Sequence, residues 1–557
     1  MKYFYINFIA FTFLGISFLF SQEFELKLII SDSQSKEPLE SVSVLINTLS
    51  GGGITDLEGV FKKSLPAKQY KVSLEYLGYS NKQFIVNLNK NITLEIEMEV
   101  FEEQLSEIIV KARDLNQSIE NPQMGVFKMT SQELKKIPTA FGEFDVLKSM
   151  TLMAGVNNAG DVSNGISVRG GSLDQNLMLY ESAPVFNLTH LFGLLSVFTP
   201  DVISKLDMYQ GNIPSKYGGR ISSVMDVKVK NPYTDKLKLN GGIGVLSSRL
   251  GLTTPIIKDK LLILAGFRGG FTDFLFPIFI DRLKNTKANF YDSTIKLLYL
   301  FNDNNQFSYS HFLSNDFYQL DLISSIENIN SSSNQYDFGT SNHTFKWIHR
   351  LENNTALKTI FINSKYSPNN FFPEYNSENV IRFKAKVKYV SGLTEFTDTR
   401  NEKIDYFLGI QLKKYEINPG SLSPGKGNSI IPIDLRQEVS LDFSSYFNLN
   451  WNPSDNLSFS LGLRYTNFNL LGPYDLAEYD QNDKQSNLVS FNENETVISY
   501  NNFEPRLGGR IQLGKDSSLK ISYAKINQYI QNIYNTVTPL PTSRWKTSDF
   551  YIKPQES

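Results

Sequence analysis

Cysteine is absent from the 557 residues, which excludes disulfides and thiolate metal sites at the outset. Histidine is nearly as scarce. His190, His311, His343 and His349 are the four present, and none stands at a metal-ligand spacing such as His-Glu-x-x-His. Neither charge dominates: 55 basic residues against 57 acidic ones leave a net charge of -2, without the basic face that a nucleic-acid partner needs. Long apolar runs are missing after the first twenty or so residues, so any passage through a membrane has to be made by strands. There is also no nucleophile-base set, no phosphate loop and no metal cluster, so the sequence implies no enzyme and no cofactor. What is abundant is aromatic: 41 Phe and 28 Tyr beside only 3 Trp, in a chain whose mean hydropathy is still -0.25. Aromatic yet polar overall is the composition of a transmembrane β-barrel, where apolar and polar residues alternate.

The single long apolar run, Phe8 to Phe20, follows Lys2 and precedes Ser21-Gln22-Glu23. A positive start, an apolar core and a small residue before polar ones read as a secretory signal peptide over residues 1–21, with the alternative of a short N-terminal anchor. Residues 24–99 then read as a small all-β domain. Leu26 to Ile30 and Val42 to Ile46 are strand-like, Asp56 and Gly59 form a turn, and Tyr70 to Tyr76 alternates. The segment resembles the carboxypeptidase regulatory-like domain, a β-sandwich; it departs from that pattern at Ile29-Ile30 and Lys68.

Two glycine-arginine signatures lie about fifty residues apart. The first is Ile166-Ser-Val-Arg169-Gly170-Gly171, followed by Asp174-Gln175-Asn176. The second is Asn212-Ile-Pro214-Ser-Lys-Tyr217-Gly218-Gly219-Arg220, and between them stands His190-Leu-Phe192-Gly to Pro200-Asp201. The glycine pairs allow positive φ and close backbone approach. No Gly-Lys-Ser/Thr follows them, and their spacing fits no dinucleotide fingerprint. In order and content the set resembles the plug domain of a TonB-dependent outer-membrane receptor of the Bacteroidetes type, placed here at residues 121–232. The resemblance assigns Arg169, Gly170, Gly171, Gly218, Gly219 and Arg220 to plug anchoring. A buried guanidinium must be paired, and a barrel-wall carboxylate such as Glu504 is the expected partner. The family's Leu-Asp-Gly turn is replaced by Leu179-Tyr180-Glu181-Ser182. Residues 102–112, with Leu105, Ser106, Glu107, Ile108, Ile109, Val110, Lys111 and Ala112, resemble the energy-coupling TonB box in position. An acidic start before a β-branched run also suits strand addition to a partner, or a plain linker strand.

From Lys236 the pattern becomes hairpins. Leu441, Phe443, Phe447, Leu449 and Trp451 share one face, opposite Asp442, Ser444, Asn448 and Asn450. After a turn at Asn452 to Asn456, Leu457 to Tyr465 repeats the alternation. Trp451 and Tyr465 are placed near the membrane interfaces. Further hairpins are expected at Phe290–Leu313 and Phe503–Gln528. At about 23 residues per strand with its loop, residues 236–557 hold about 14 strands. Barrels that enclose a plug need about 22.

The expected fold is therefore mainly β: a small β-sandwich, an α+β plug and an incomplete, truncated antiparallel transmembrane barrel. The resemblance implies an outer-membrane transporter of a Gram-negative bacterium with a periplasmic N-terminal domain. Its implied partners are a TonB-type inner-membrane energy-coupling complex, outer-membrane lipid, a surface lipoprotein, and a small-molecule, oligosaccharide or peptide ligand. The alternative is a cell-surface binding or adhesion β-protein without transport.

Overall fold

The computed structural model describes residues 23–98 and 124–557, apart from stretches at 34–37, 40–41, 47–52, 57, 76–81, 138–144, 159–164, 272, 274–285, 303, 321–324, 327–328, 331–332, 352–354, 375–377, 402, 427–430, 455, 483, 515–516 and 534–543. The signal-like stretch 1–21 and the segment Leu105–Ala112 lie outside the described residues. The chain divides into two compact units between Val110 and Lys111.

The first unit is two small sheets around one core. One has the order Val60–Pro66, Glu23–Asp32, Ile92–Met98, with the last pair parallel. The other runs Gly53–Ile54, Ser43–Ile46, Lys68–Glu75, Lys82–Leu88. Alternate residues such as Leu26, Leu28, Ile30, Val72 and Leu74 are buried together, as period-two patterning dictates. Gly59 turns at φ +70°, and the Asp56 carboxylate accepts from the amides of Glu58 and Val60 at 3.1 and 2.8 Å.

The second unit begins with the plug. Its five-stranded sheet has the order Ala183–Pro184, Asn176–Tyr180, Ser223–Val229, Ile203–Tyr209, Val126–Thr130, and only the second and third of these strands pair in parallel. Two single-turn helices flank it. Ser131–Lys135 starts with a reciprocal capping box between Thr130 and Glu133, and Val146–Met150 is capped by the Asp145 carboxylate. Leu134, Val146, Met150, Leu206, Met208 and Met225 close the core beneath them.

Around the plug runs a 14-stranded antiparallel sheet. Thirteen strands follow one another from Lys238–Ile243 to Ser517–Ala524, and Ile433–Asp434 pairs off the path. The two end strands are not paired with each other, so the sheet is open. Its polar side chains face inward: Asp442, Ser444 and Asn448 are buried, whereas Phe443, Phe447 and Trp451 are about two-fifths exposed. The Asn302 side chain accepts from the amides of Asn304 and Asn305 and makes the tight turn between Lys287–Asn302 and Asn305–Leu320. Near the short turns an outward aromatic belt forms, with Phe307 stacked on Trp347 at 6.0 Å and Trp451 on Phe459 at 5.5 Å. Tyr465 stands further along its strand, against Phe503 at 5.0 Å. One hairpin is shorter than its pattern predicts: the strand expected to reach Gln528 ends at Ala524. Beyond it the chain turns into the lumen and buries Ile526, Asn527, Gln528 and Ile530. Among the described residues no helix is long and apolar enough to cross a membrane, which says nothing about crossing by strands.

Candidate functional site: the contact between plug and wall

The two signatures meet in space. Asn176 pairs with Ser223 in the parallel ladder, and the Ser223 hydroxyl donates to the Asn176 side chain at 2.6 Å. Arg169 and Gly170 form a tight turn with φ of +49° and +80°, closed by the Gly171 amide on the Val168 carbonyl at 2.9 Å. A Cβ on Gly171 would lie 2.5 Å from the Ser222 hydroxyl, so the first signature has glycine where the second packs onto it.

The expected pairing of plug arginines with wall carboxylates is not what forms. Arg169 is exposed, its chain laid across Gly125, Gly155 and Gly211 of the plug, and it makes no ion pair among the described residues. Arg220 is buried, as anticipated, but its guanidinium sits 5.2 Å from the centre of the Trp545 ring and donates to the Gly219 carbonyl at 2.8 Å. Burial pulls that guanidinium below its ordinary value. Glu504 pairs with Arg506, two residues along its own strand, at 2.8 Å. The reason is the direction of the grip. Wall arginines reach inward to plug carbonyls: Arg506 donates to Ile213 and Pro214 at 3.0 and 2.5 Å, and Arg464 to Ser215 and Lys216 at 3.3 and 3.2 Å. Gly218 is needed for this approach, because a Cβ there would lie 2.5 Å from Arg464 Nε. Gly219 turns at φ +86°.

Two buried charge clusters, both missed at the level of sequence, join the plug to the opposite part of the wall. Glu181 and Ser182 adopt φ of +49° and +78°, so the turn keeps its left-handed shape without glycine. The Glu181 carboxylate lies 3.2 Å from Lys296 and 3.4 Å from Lys346 and accepts the Val229 amide at 2.7 Å. Burial opposes its charge, but Lys346, Lys296 and Lys228 outweigh that and hold the carboxyl down to about 2.

His190 makes the second cluster. Its Nδ1 is 2.7 Å from Asp316 and its Nε2 is 2.8 Å from Asp292, with all three side chains fully buried. Two carboxylates on two ring nitrogens require two donors, hence an imidazolium. Burial pulls the ring's pKa down, but Asp292 and Asp316 prevail and raise it to about 9. Arg268 binds Asp292 at 2.6 Å and donates to the Ser196 carbonyl of the plug at 2.5 Å. Two cations therefore face two carboxylates. The Tyr318 hydroxyl donates to Asp316 at 2.6 Å and accepts the Leu191 amide at 2.7 Å. Phe290 stacks under the imidazole at 4.2 Å.

A five-stranded α+β unit held by such contacts inside an antiparallel, apolar-out sheet has known counterparts. The family model for the TonB dependent receptor-like β-barrel matches residues 280–557, and that for the CarboxypepD_reg-like domain matches residues 29–110. The chain belongs to the TonB-dependent receptor family. Solved structures similar to this receptor include the copper transporter OprC, at 10% identity and a TM-score of 0.54 over 73% of this chain and 63% of that one. A ferric enterobactin receptor (PfeA) mutant from Pseudomonas aeruginosa matches at 12% identity and a TM-score of 0.55, over 80% and 69%. The alcaligin outer-membrane receptor FauA from Bordetella pertussis matches at 11% identity and 0.51, over 74% and 64%. At these identities the likeness is one of fold. This receptor chain spans 63% of the length of OprC and 64% of that of FauA. The barrel family and the structures named here are receptors and transporters, not enzymes. A search of curated protein sequences found no match.

Proposed function

We propose that this chain serves energised uptake across the outer membrane of a Gram-negative bacterium, of a ligand too large or too scarce for porins. The observation that supports this reading best is the plug itself: a folded unit held inside the wall by buried charged contacts. A passive pore has no use for such an obstruction, and neither has an adhesin. Opening it takes work, and the outer membrane holds no ATP supply. In this reading residues 24–99 form a periplasmic β-sandwich, 102–112 the coupling segment, 121–232 the plug and 236–557 the strands of the barrel. Leu105–Ala112 recruits a TonB-type inner-membrane energy-coupling complex by strand addition. The ligand, a small molecule, oligosaccharide or peptide, binds from outside, with a surface lipoprotein as a further partner. Arg220 with Gly218 and Gly219 belongs to the anchoring surface, whereas Arg169, Gly170 and Gly171 shape the plug.

Deleting Leu105–Ala112 from a complete receptor tests the reading. Uptake should fall to background while binding to whole cells stays within about twofold. The regulatory-like match extends to residue 110, so the melting temperature of the purified deletion protein has to be unchanged for the result to count. Undiminished uptake by a deletion protein with that melting temperature would reject the segment as the coupling element.

A further inference from the structure

Between the clusters at His190 and Glu181 on one side and the arginine grips on the other, plug and wall separate. The gap is a cavity of about 100 Å³, with Lys216 and Lys228 on the plug side and Lys358, Glu395 and Lys413 on the wall side. Three of these four lysines have carboxylates: Lys228 meets Asp226 at 2.7 Å, Lys413 meets Asp442 at 3.2 Å, and Lys358 pairs with Glu395. Lys216 does not. Among the described residues no carboxylate lies within ion-pair distance of it, and its ammonium rests 5.0 Å from the Tyr217 ring and 5.7 Å from that of Phe407.

We propose that this gap is a binding site for an anionic group, a carboxylate or phosphate, with Lys216 as its principal ligand. Lys216 stands two residues after Pro214, whose carbonyl Arg506 grips, and its own carbonyl accepts from Arg464, so its backbone is fixed while its side chain makes no ion pair. Backbone placement of that kind presents a cation; it does not neutralise one. An ammonium buried without an ion pair is destabilising on its own; burial pulls its pKa below the ordinary lysine value, and the more distant Glu395 offsets this only in part. An anion entering the gap would supply the missing charge and meet the paired lysines around it. The Tyr217 and Phe407 rings steady the ammonium without consuming its donors. This assignment does not depend on the transport reading, because it concerns binding alone.

Inorganic phosphate is the probe, added to the purified full chain in detergent at constant ionic strength. Phosphate should raise the melting temperature of the wild type in a saturable way, because a ligand that binds only the folded state stabilises it. Lys216→Gln should lose at least tenfold in phosphate affinity, and Lys216→Arg should retain it within about threefold. Lys216→Gln should also melt at or above the wild-type temperature without phosphate, since it removes an unpaired buried charge; a residue placed for structure alone would make it melt lower. Equal phosphate stabilisation of wild type and Lys216→Gln, or none in the wild type, would overturn the proposal.

Discussion

At the scale of single residues, the plug is held by what the wall donates, not by what the plug donates. Arg464 and Arg506 donate to the carbonyls of Ile213 to Lys216, and each charged hydrogen bond of this kind is worth about 1.5–3 kcal/mol. Gly218 leaves the room for Arg464. Gly218→Ala should therefore act through that arginine, not through local strain. Each of Gly218→Ala and Arg464→Ala should lower the stability of the receptor by about 1.5–6 kcal/mol, the range of one or two such bonds. The double variant should be no less stable than Arg464→Ala alone, because with the arginine gone the added methyl has space. Denaturant melts of the four proteins check this, and additive losses would show that Gly218 serves something other than the arginine's approach.

At the scale of elements, the segment from Val185 to Val197 is clamped by the His190 cluster, and its strength should follow pH. The folded-state pKa of His190 lies above the unfolded value, so its contribution is fully present below about pH 6.5. It is lost as pH rises through about 9. The groups facing it are Asp292 and Asp316, with Arg268 and Tyr318 behind them. Removing the imidazole leaves two buried carboxylates with one guanidinium, so His190→Gln should be less stable by about 3–5 kcal/mol near neutrality. The gap between the two proteins should then narrow from pH 7 to pH 10, which thermal melts across that range can read; a constant gap would show that the ring is not held protonated. None of this was visible in the sequence, although His190 stood inside the segment that marked the plug. Asp292 and Asp316 lie more than a hundred residues away, on strands where a polar inward residue every second position is ordinary. The same holds for Arg464 and Arg506. Period two tells inside from outside, and it placed Trp451 and Asp442 on their proper faces. It carries no information about which inward residue meets the plug. The Glu181 turn was legible only in half: a missing glycine was evident, but not that two wall lysines hold the replacement.

At the scale of the molecule, the arginine grips stand apart from the His190 and Glu181 clusters, with the lysine-lined gap between them. If transport moves the plug, at least the arginine-gripped segment has to leave the wall. The chain contains no cysteine, so a single engineered pair would report on this without competing thiols. A Cβ built on Gly462 of the wall lies 3.3 Å from the Cβ of Ser215 of the plug, slightly inside the roughly 3.5–4.5 Å that disulfides span. Ser215→Cys with Gly462→Cys should therefore close under oxidation after a small shift of the Arg-gripped backbone. In a complete receptor the oxidised form should bind ligand at the cell surface as the reduced form does, yet take up no more than the Leu105–Ala112 deletion. A thiol reductant should restore uptake within the same cells, which separates a locked plug from a misfolded one. Uptake that continues with the disulfide demonstrably formed would mean that residues 213–216 stay on the wall throughout, and that any opening is confined to the plug surface facing the gap or to the His190 and Glu181 clusters.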